Sequence, residues 1–494
     1  MNDVAPTSSP IPMTAKLILW HPVLFAIIFV IMPFTQYAGL IPPAQVVAPF
    51  IVICIFAALL YFIIKGVVKK AGVVVALLSP LLIVLCNYGT LYEYISSLTS
   101  GTKLKGPVLA LATLIILVIL IVYIMKIRRL RGGAISKVNK AFCVIAGALI
   151  VSNAFSITMQ SIAFAKINGD SGTPGMSMPK DTGPRPDIYF IILDEYAAPS
   201  QMKSYFQYDM SPFVEYLRQK GFMVTEMTTE SIATATILDT RLNMEARKRQ
   251  DGDLSSGSLS DSLLESVNIL NTDEEKRMIH IRNNKVIGYL KGLGYQYIHM
   301  GSWFAQTRYN HLADQNNNFF GFQFKDELST IIAGNSILRL VLINRYFLRS
   351  SVLDAFAYLE NMPVAGGQPK FIFAHIICPH TPYVFGANGE KLTVNPGESK
   401  DDKQLYLDQH IYVTKMAKEF VDKKLSTAQA EVAPVIIIQA DHGARMDKPQ
   451  ARQVFSAVYI PNYKGKPWQD SISSANTFRL VFKELFGSNL EILK

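Results

Sequence analysis

The sequence is poor in charged residues and rich in hydrophobic ones. Of its 494 residues only 17% are charged and 50% are hydrophobic, whereas soluble globular proteins carry about 25% charged residues. The mean hydropathy of +0.23 conceals a division. Long apolar runs fill the chain up to about Ala165, and an ordinary water-soluble composition begins after Pro174. This pattern excludes a uniformly soluble protein and predicts a membrane part followed by a large soluble domain.

Cysteine is also scarce. Three of the four cysteines (Cys54, Cys86 and Cys143) lie inside apolar runs, and only Cys378 falls in the soluble part. The soluble domain therefore has no internal disulfide. An extracytoplasmic domain without disulfides is unusual in a eukaryotic secretory pathway and ordinary in bacteria, so the sequence favours a bacterial protein.

Motifs of several large enzyme classes are missing. The chain has no P-loop, no G-x-G-x-x-G and no G-x-S-x-G in a suitable context, which excludes the common nucleotide-binding and serine-hydrolase sites. The net charge of +10 does not indicate nucleic-acid binding, because much of the basic excess sits in two short loops between apolar runs. The basic residues of these loops are Lys65, Lys69 and Lys70 in the first, and Lys126, Arg128, Arg129, Arg131, Lys137 and Lys140 in the second.

Five apolar segments predict a transmembrane domain over residues 1–165. They are Leu17–Phe34, Val46–Ile64, Ala71–Leu85, Pro107–Met125 and Ala141–Ala163. The first follows Lys16 and has no small-residue cleavage site behind it, so it is predicted to be an anchor and not a signal peptide. The two basic loops are typical of cytoplasmic loops. With five spans, the rest of the chain is then expected on the outer, periplasmic side of a bacterial inner membrane.

After a Gly-, Ser- and Pro-rich linker at 166–186, short apolar runs alternate with helical patterns. Continuous apolar strands separated by helices predict an α/β domain over 187–494, with a mainly parallel sheet covered by helices on both faces. In such sheets ligands bind at the carboxyl ends of the strands. Three polar clusters lie there: Asp194-Glu195, His375 to His380, and Asp441-His442.

The residue types of these clusters suit a divalent metal site. Asp oxygens and His nitrogens are good ligands for Zn²⁺ or Mn²⁺. In VIIIQADHGA, Gly443 is expected to allow the tight turn after the Asp-His pair. Each cluster alone also has an ordinary structural explanation, namely a strand-end Asp that caps a helix, or a packed or surface His. Glu195 is left open as a further ligand or a supporting residue.

Together the three clusters resemble the alkaline phosphatase superfamily, specifically its membrane-anchored sulfatase-like branch. That branch includes lipoteichoic acid synthases, phosphoglycerol transferases and lipid A phosphoethanolamine transferases. The resemblance implies that Asp194 is the first acidic metal ligand and that Asp441 and His442 are the late ligand pair. It further implies that His380 contacts the transferred phosphate or the leaving group, with His375 as a companion.

The segment Thr228–Met244 resembles the part of this family that carries the nucleophilic, metal-coordinating Thr. Its spacing from the LNM triplet points to Thr234. The Asn-Tyr lead-in usual in the family is missing here, and Thr236 and Thr240 lie close by. Thr236 is therefore the alternative nucleophile.

The resemblance implies a transferase that uses Zn or Mn. It would move phosphoglycerol or phosphoethanolamine from a phospholipid donor to a cell-envelope glycan or lipid, through a phospho-threonine. Two alternatives stay open: a phosphodiesterase or phosphatase with water as acceptor, and a non-catalytic lipid-binding or regulatory relative. A sulfatase is not expected, because Cys378 lies in CPHTP and not in the C/S-x-P-x-R context that a sulfatase needs.

Overall fold

The computed structural model describes residues 20–99, 105–169, 185–245, 273–319, 326–342, 345–363, 367–392, 402–427, 433–465 and 467–493. Two compact units divide the chain. The first contains the N-terminal helices and also residues 326–342, which come from the second half of the sequence. The second contains the remaining residues from 165 onward.

Five apolar helices of the first unit each overlap one predicted segment, although α3 and α5 extend well beyond the predicted bounds and residues 17–19 of the first segment lie outside the described residues. They are α1 (His21–Gln36), α2 (Val47–Val67), α3 (Ala71–Leu98), α4 (Lys105–Arg129) and α5 (Gly132–Gly169). The last four are long and apolar enough to cross a membrane, whereas α1 has 16 described residues. The first residues of the predicted linker continue α5, and residues 170–184 lie outside the described part of the chain.

A seven-stranded sheet forms the centre of the second unit, in the order β2-β7-β6-β1-β5-β3-β4. The strands are β1 (Ile188–Leu193), β2 (Met223–Thr228), β3 (Gln296–Gly301), β4 (Gln315–Asn318), β5 (Lys370–Ile376), β6 (Val435–Ala440) and β7 (Gln453–Tyr459). The pairs β1–β5, β1–β6, β3–β5 and β3–β4 are parallel, and β7 runs antiparallel to both β2 and β6. The predicted α/β class with a mainly parallel sheet is confirmed.

Helices connect and cover the strands. In the second unit they are α6 (Pro199–Ser204), α7 (Ser211–Gln219), α8 (Thr234–Asn243), α9 (Asp273–Arg282), α10 (Lys285–Gly292), α13 (Arg345–Asn361), α14 (Asp402–Thr427) and α15 (Thr477–Phe486). Between α10 and α13 the chain supplies α11 (Glu327–Asn335) and α12 (Arg339–Leu342) to the first unit.

Strand β1 lies in the middle of the sheet because its sequence, IYFIIL, is apolar on both faces and every residue of it is buried. The register places Leu193 beside Ile376 of β5 and beside Ala440 of β6. The residues that follow these three strands therefore leave the sheet side by side. The fold brings the three polar clusters of the sequence to one edge.

The sequence patterns missed two strands. The β4 sequence, QNNN, has no apolar residue to mark it. The β7 strand is apolar and buried, but it follows the polar loop after His442 and was not separated from it. β4 lies at one edge of the sheet and β7 lies beside β6, so neither strand is one of the three central strands β6, β1 and β5.

Candidate active site

Asp194, Asp441 and His442 form a compact buried group at the ends of β1 and β6. One ligand atom from each lies within 4.8 Å of the others. Their exposed fractions are 3%, 0% and 0%. Two carboxylates and an imidazole that have lost this much water need a compensating partner.

The atoms left without partners fit a cation. Among the described residues, Asp194 Oδ1 and His442 Nε2 are buried and have no hydrogen-bond partner. The His442 Nδ1 atom lies 2.7 Å from the carbonyl of Gly443, so Nδ1 donates and Nε2 keeps its lone pair. That lone pair lies 3.4 Å from Asp441 Oδ2. Two acceptors facing each other repel unless a cation lies between them, and this donor set suits Zn²⁺ or Mn²⁺.

The Thr234 hydroxyl contacts the buried group formed by Asp194, Asp441 and His442. Thr234 is the first residue of α8, is 6% exposed, and donates from Oγ1 to Asp441 Oδ2 over 2.8 Å. Helix α8 has ten residues, and its N-terminus favours negative charge on the Thr234 oxygen. Thr236 is half-buried, and Thr240 instead donates within its own helix to Ile237 O over 2.9 Å. Of the candidate threonines, the fold brings Thr234 to the acidic group.

Asp441 is held by backbone groups on its other oxygen. Its Oδ1 accepts from the N–H of Glu195 over 2.9 Å and from the N–H of His442 over 2.7 Å. The side chain is therefore fixed between β1 and β6, with Oδ2 turned towards Thr234.

Gly443 is required here for space. A Cβ built on Gly443 would lie 2.4 Å from Gln201 Oε1 and 3.2 Å from Ala451 Cα. Gln201 also holds this loop, because it accepts from the N–H of Ala444 over 2.8 Å and donates to the Ala444 carbonyl over 2.9 Å. The expected reason, a tight turn, is replaced by close packing against α6.

His375 lies beside Asp194. It is the penultimate residue of β5 and therefore lies at the carboxyl end of that strand. Its Nε2 lies 3.2 Å from Asp194 Oδ2, in ion-pair range but without hydrogen-bond geometry. Burial opposes ionisation of Asp194, and the contact with the His375 imidazole outweighs that effect, so the pKa of Asp194 lies below its usual value.

Thr307, which the sequence analysis missed, orients His375. Its hydroxyl lies 2.8 Å from His375 Nδ1 and 3.0 Å from Ser302 Oγ. Its carbonyl accepts from His299 Nε2 over 2.8 Å. No sequence signal identifies Thr307, because it belongs to a short 3₁₀ turn at 305–307 that only the fold brings next to β5.

His380 contacts a second missed residue, Arg445. The His380 Nε2 atom lies 3.0 Å from Arg445 Nη1, and His380 Nδ1 lies 2.5 Å from the carbonyl of Thr381. An arginine only donates and a carbonyl only accepts. His380 is thus the neutral tautomer with its proton on Nδ1. The only sequence signal for Arg445 was its place in the loop directly after Asp-His-Gly-Ala.

Arg445 is positioned from two further sides. Its Nη2 donates to the carbonyl of Ile232 over 3.2 Å, just before α8, and its backbone N–H donates to Glu195 Oε1 over 2.7 Å. Glu195 adopts a positive φ of 63°, so the alternation of a strand no longer applies to it. The Glu195 carboxylate is turned to Arg445 and to His380 Nε2, 3.8 Å away, and it supports these two side chains.

A buried arginine lies behind Asp441. Arg241 is fully buried in α8 and donates from Nη1 to the carbonyl of Ala440 over 2.9 Å. Burial lowers the pKa of Arg241 to about 10, against the opposing charges of Asp441 and Glu230. The group therefore stays cationic at neutral pH and adds positive potential behind the acidic cluster.

No protein-family model matches the sequence, and the comparison with curated proteins gives no match. Solved structures do match. One is the C-terminal periplasmic domain of EcEptC from Escherichia coli in complex with Zn, at 15% identity and a TM-score of 0.39, over 64% of this chain and 87% of that one. Another is the soluble domain of lipooligosaccharide phosphoethanolamine transferase A from Neisseria meningitidis, at 11% identity and a TM-score of 0.41, over 63% and 90%.

A protein in the alkaline phosphatase superfamily from Vibrio parahaemolyticus also matches, at 13% identity and a TM-score of 0.38, over 64% of this chain and 69% of that one. At such identities and TM-scores the activities of these proteins do not transfer to this chain. The motifs of the chain resemble the sulfatase-like branch of the alkaline phosphatase superfamily, and the matched protein from Vibrio parahaemolyticus is described as a member of that superfamily.

Proposed function

We propose that the protein is a metal-dependent transferase. It moves a phospho-substituent, phosphoglycerol or phosphoethanolamine, from a phospholipid to a cell-envelope glycan or lipid. The observation that carries the proposal is the hydrogen bond of 2.8 Å from Thr234 Oγ1 to Asp441 Oδ2. This bond joins a hydroxyl that can act as a nucleophile to a carboxylate of the buried, metal-capable group, and it supports the proposal.

Asp194, Asp441, His442 and the Thr234 hydroxyl would hold the metal. When bound, a divalent ion favours the alkoxide of a coordinated hydroxyl and neutralises charge on phosphoryl oxygens. The remaining contributions come from the chain itself. The N-terminus of α8 favours negative charge on Thr234 Oγ1, and the Asp441 carboxylate accepts a hydrogen bond from the Thr234 hydroxyl and so fixes the direction of its oxygen.

The reaction divides into two displacements at phosphorus. In the first, Thr234 Oγ1 forms a bond to the phosphorus of the lipid, and the bond from phosphorus to the diacylglycerol oxygen breaks. In the second, a hydroxyl of the acceptor displaces Thr234, which regains its proton. The proton of the first step ends on the diacylglycerol oxygen, and that of the second step comes from the acceptor, so atoms and charge balance.

In this proposal His380 transfers protons at the phosphoryl group, and Arg445 binds its oxygens. The His380 Nε2 lone pair can take a proton from an attacking hydroxyl and return it to a leaving alkoxide. Arg445 brings a permanent positive charge and N–H donors to the same place, and guanidinium groups suit phosphoryl oxygens well. His375, held by Thr307, is a positioning residue for Asp194.

The membrane helices suit a lipid donor. Among the described residues, four helices are long and apolar enough to span a bilayer, and a domain tethered there meets phospholipid at high effective concentration. The basic loops favour an orientation with the second unit outside, so we place the enzyme in a bacterial inner membrane with its catalytic unit in the periplasm.

The test uses the full chain in vesicles that contain phosphatidylethanolamine or phosphatidylglycerol with a labelled headgroup. We expect diacylglycerol release and a phospho-substituted Thr234 detectable by mass spectrometry. The Thr234→Ala variant should lose both, and the matched Thr236→Ala variant should retain both. Diacylglycerol release without any acceptor at the full rate would indicate a hydrolase, and unchanged activity in Thr234→Ala would refute the proposed nucleophile.

A further inference from the structure

A piece of the chain from the second half of the sequence belongs to the membrane unit. Residues 326–342 cluster with the N-terminal helices. In α11, Leu328 and Ile331 lie in one buried apolar cluster with Phe25 and Leu82 of the membrane helices. Asp326 caps the N-terminus of the helix, because its side chain accepts from the N–H of Ser329 over 2.7 Å.

The end of α11 packs closely on α3. The N–H of Ile337 donates to the carbonyl of Leu85 over 2.8 Å. Gly89 makes this approach possible, because a Cβ there would lie 2.0 Å from the carbonyl oxygen of Gly334 and 2.7 Å from the carbonyl carbon of Asn335. These neighbours are backbone atoms, which cannot move away by a change of side-chain rotamer. The close contact therefore requires a glycine at position 89.

The next turn follows α3 further. Arg339 forms an ion pair with Glu93, and its guanidinium lies 4.9 Å from the centre of the Tyr92 ring. The stretch from Gly334 to Arg339 therefore contacts α3 between Leu85 and Glu93. We call residues 334–342 the interfacial segment.

The position of these contacts along α3 gives the depth of the interfacial segment. Helix α3 begins at Ala71, directly after Lys69 and Lys70. At 1.5 Å per residue, Leu85 lies about 21 Å from that end, within a hydrocarbon layer of about 30 Å. Tyr92 and Glu93 lie past the far boundary, where tyrosines and charged residues are favoured. The interfacial segment spans this boundary.

The outer face of the segment is apolar. Ile337, Leu338, Leu340 and Val341 are 37%, 50%, 55% and 64% exposed. The membrane-spanning helices expose their apolar side chains to a similar degree, as in the case of Leu59 at 58%. Contiguous apolar side chains exposed this far are costly in water at about 25 cal/mol per Å², and they usually mark a binding surface.

We propose that the interfacial segment is a lipid-contact element. Its four apolar side chains lie among the acyl chains of the leaflet at the end of α3 that is remote from Lys69 and Lys70. Arg339 lies at the level of the headgroups, where its long side chain reaches the polar region. The segment packs against α3, a helix long and apolar enough to span a membrane, which is why acyl chains are the occupant. This inference does not depend on the proposed reaction.

A nitroxide label on Leu340→Cys tests the proposal in the full chain. The variant is made with Cys54, Cys86 and Cys143 changed to Ala. Cys378 is kept, because it is 1% exposed and its burial raises the pKa of the thiol, so that it does not react. In vesicles of phosphatidylethanolamine and phosphatidylglycerol, collision of the label with dissolved oxygen is compared with collision with a water-soluble nickel complex.

Two reference positions give the scale: Leu59→Cys on α2 for lipid, and Lys418→Cys on α14 for water. We expect the Leu340→Cys label to match Leu59→Cys, with collisions dominated by oxygen. A label that matches Lys418→Cys, with collisions dominated by the nickel complex, would overturn the proposal.

Gly89→Ala supplies a second measurement. The added Cβ should displace the segment from α3 and raise the nickel collisions of the Leu340→Cys label several-fold. Gly147→Ala is the matched control, because a Cβ on Gly147 meets nothing within 4 Å. An unchanged Lys418→Cys spectrum shows that the second unit remains folded. If Gly89→Ala leaves the Leu340→Cys label unchanged, the depth assigned from the contacts with α3 is wrong.

Discussion

At the scale of single residues, the site owes much of its chemistry to side chains that no motif marks. Arg445 donates to His380 Nε2 and to the carbonyl of Ile232, and it follows Gly443 and Ala444 in a loop with no regular pattern. Thr307 sets the direction of His375. In the proposed reaction the motif residues supply the reacting and metal-capable atoms, and Arg445 and Thr307 orient the histidines beside them.

Changing Arg445 to Gln should lower kcat/KM for transfer by about 10²-fold, because a positive charge at the phosphoryl oxygens is lost. Lys in its place should restore part of the rate, since the charge returns without the guanidinium geometry. Metal content and thermal unfolding midpoint are measured in parallel and should not change. Arg218→Gln, at an exposed position on α7, is the matched control. Wild-type kinetics in the Gln variant would remove Arg445 from the proposed reaction.

At the scale of secondary structure, the site depends on three strands that lie side by side in the sheet. The order β6-β1-β5 brings Asp441 and His442, Asp194, and the segment from His375 to His380 to one edge of the sheet. Helix α8 then adds Thr234 at its first residue. A strand end and a helix start are both places where polar groups lack backbone partners, which is why sites are built there.

The metal prediction belongs to this scale, because its ligands come from two strands. Elemental analysis of the detergent-purified full chain should find about one Zn or Mn per chain, the content of a single site built from these ligands. Asp441→Asn should lose it, since the amide cannot supply the second anionic oxygen. Asp209→Asn, at an exposed position before α7, should keep it. Wild-type protein that stays free of metal after incubation with excess Zn²⁺ and Mn²⁺ would favour the non-catalytic alternative.

At the scale of the whole molecule, stability of the second unit should depend on pH through its buried histidines. Burial is the main cause that lowers the pKa of both His299 and His410 to about 3, compared with about 6.5 in an unfolded chain. Below pH 6.5 both histidines bind a proton in the unfolded chain, whereas in the folded chain they stay neutral until the pH nears 3. The unfolding free energy is therefore highest above pH 6.5 and falls as the pH drops from 6.5 towards 3.

By pH 5.5 each of these histidines should have lowered the unfolding free energy by about 1.4 kcal/mol. His410→Phe removes one titrating group and keeps a ring that can stack on Tyr196, whose centre lies 4.1 Å from that of His410. Urea unfolding of the full chain in detergent is monitored by near-ultraviolet circular dichroism at several pH values. These curves give the slope of the unfolding free energy against pH. The variant should lose less stability between pH 7.5 and 5.5 than the wild type does, and equal slopes would contradict the assignment.

The amino-acid sequence alone determined the apolar helices, the α/β class and most of the acidic and histidine candidates, because these follow from local composition and period. The continuous apolar runs at Ile188–Leu193 and Val435–Ala440 can only be buried strands, and the residues after them must lie at a sheet edge. Thr234 was predicted from its spacing to LNM, and its contact with Asp441 became visible in the fold.

Tertiary structure decided what depends on residues far apart in the chain. Arg445 is separated from His380 by 65 positions and Thr307 from His375 by 68, and no local pattern encodes such pairs. The return of residues 326–342 to the membrane unit is equally non-local, since it depends on the space above Gly89. The local sequence determines which side chains are polar or apolar and which strands and helices they belong to. The packing of segments far apart in the chain determines which of these side chains come into contact.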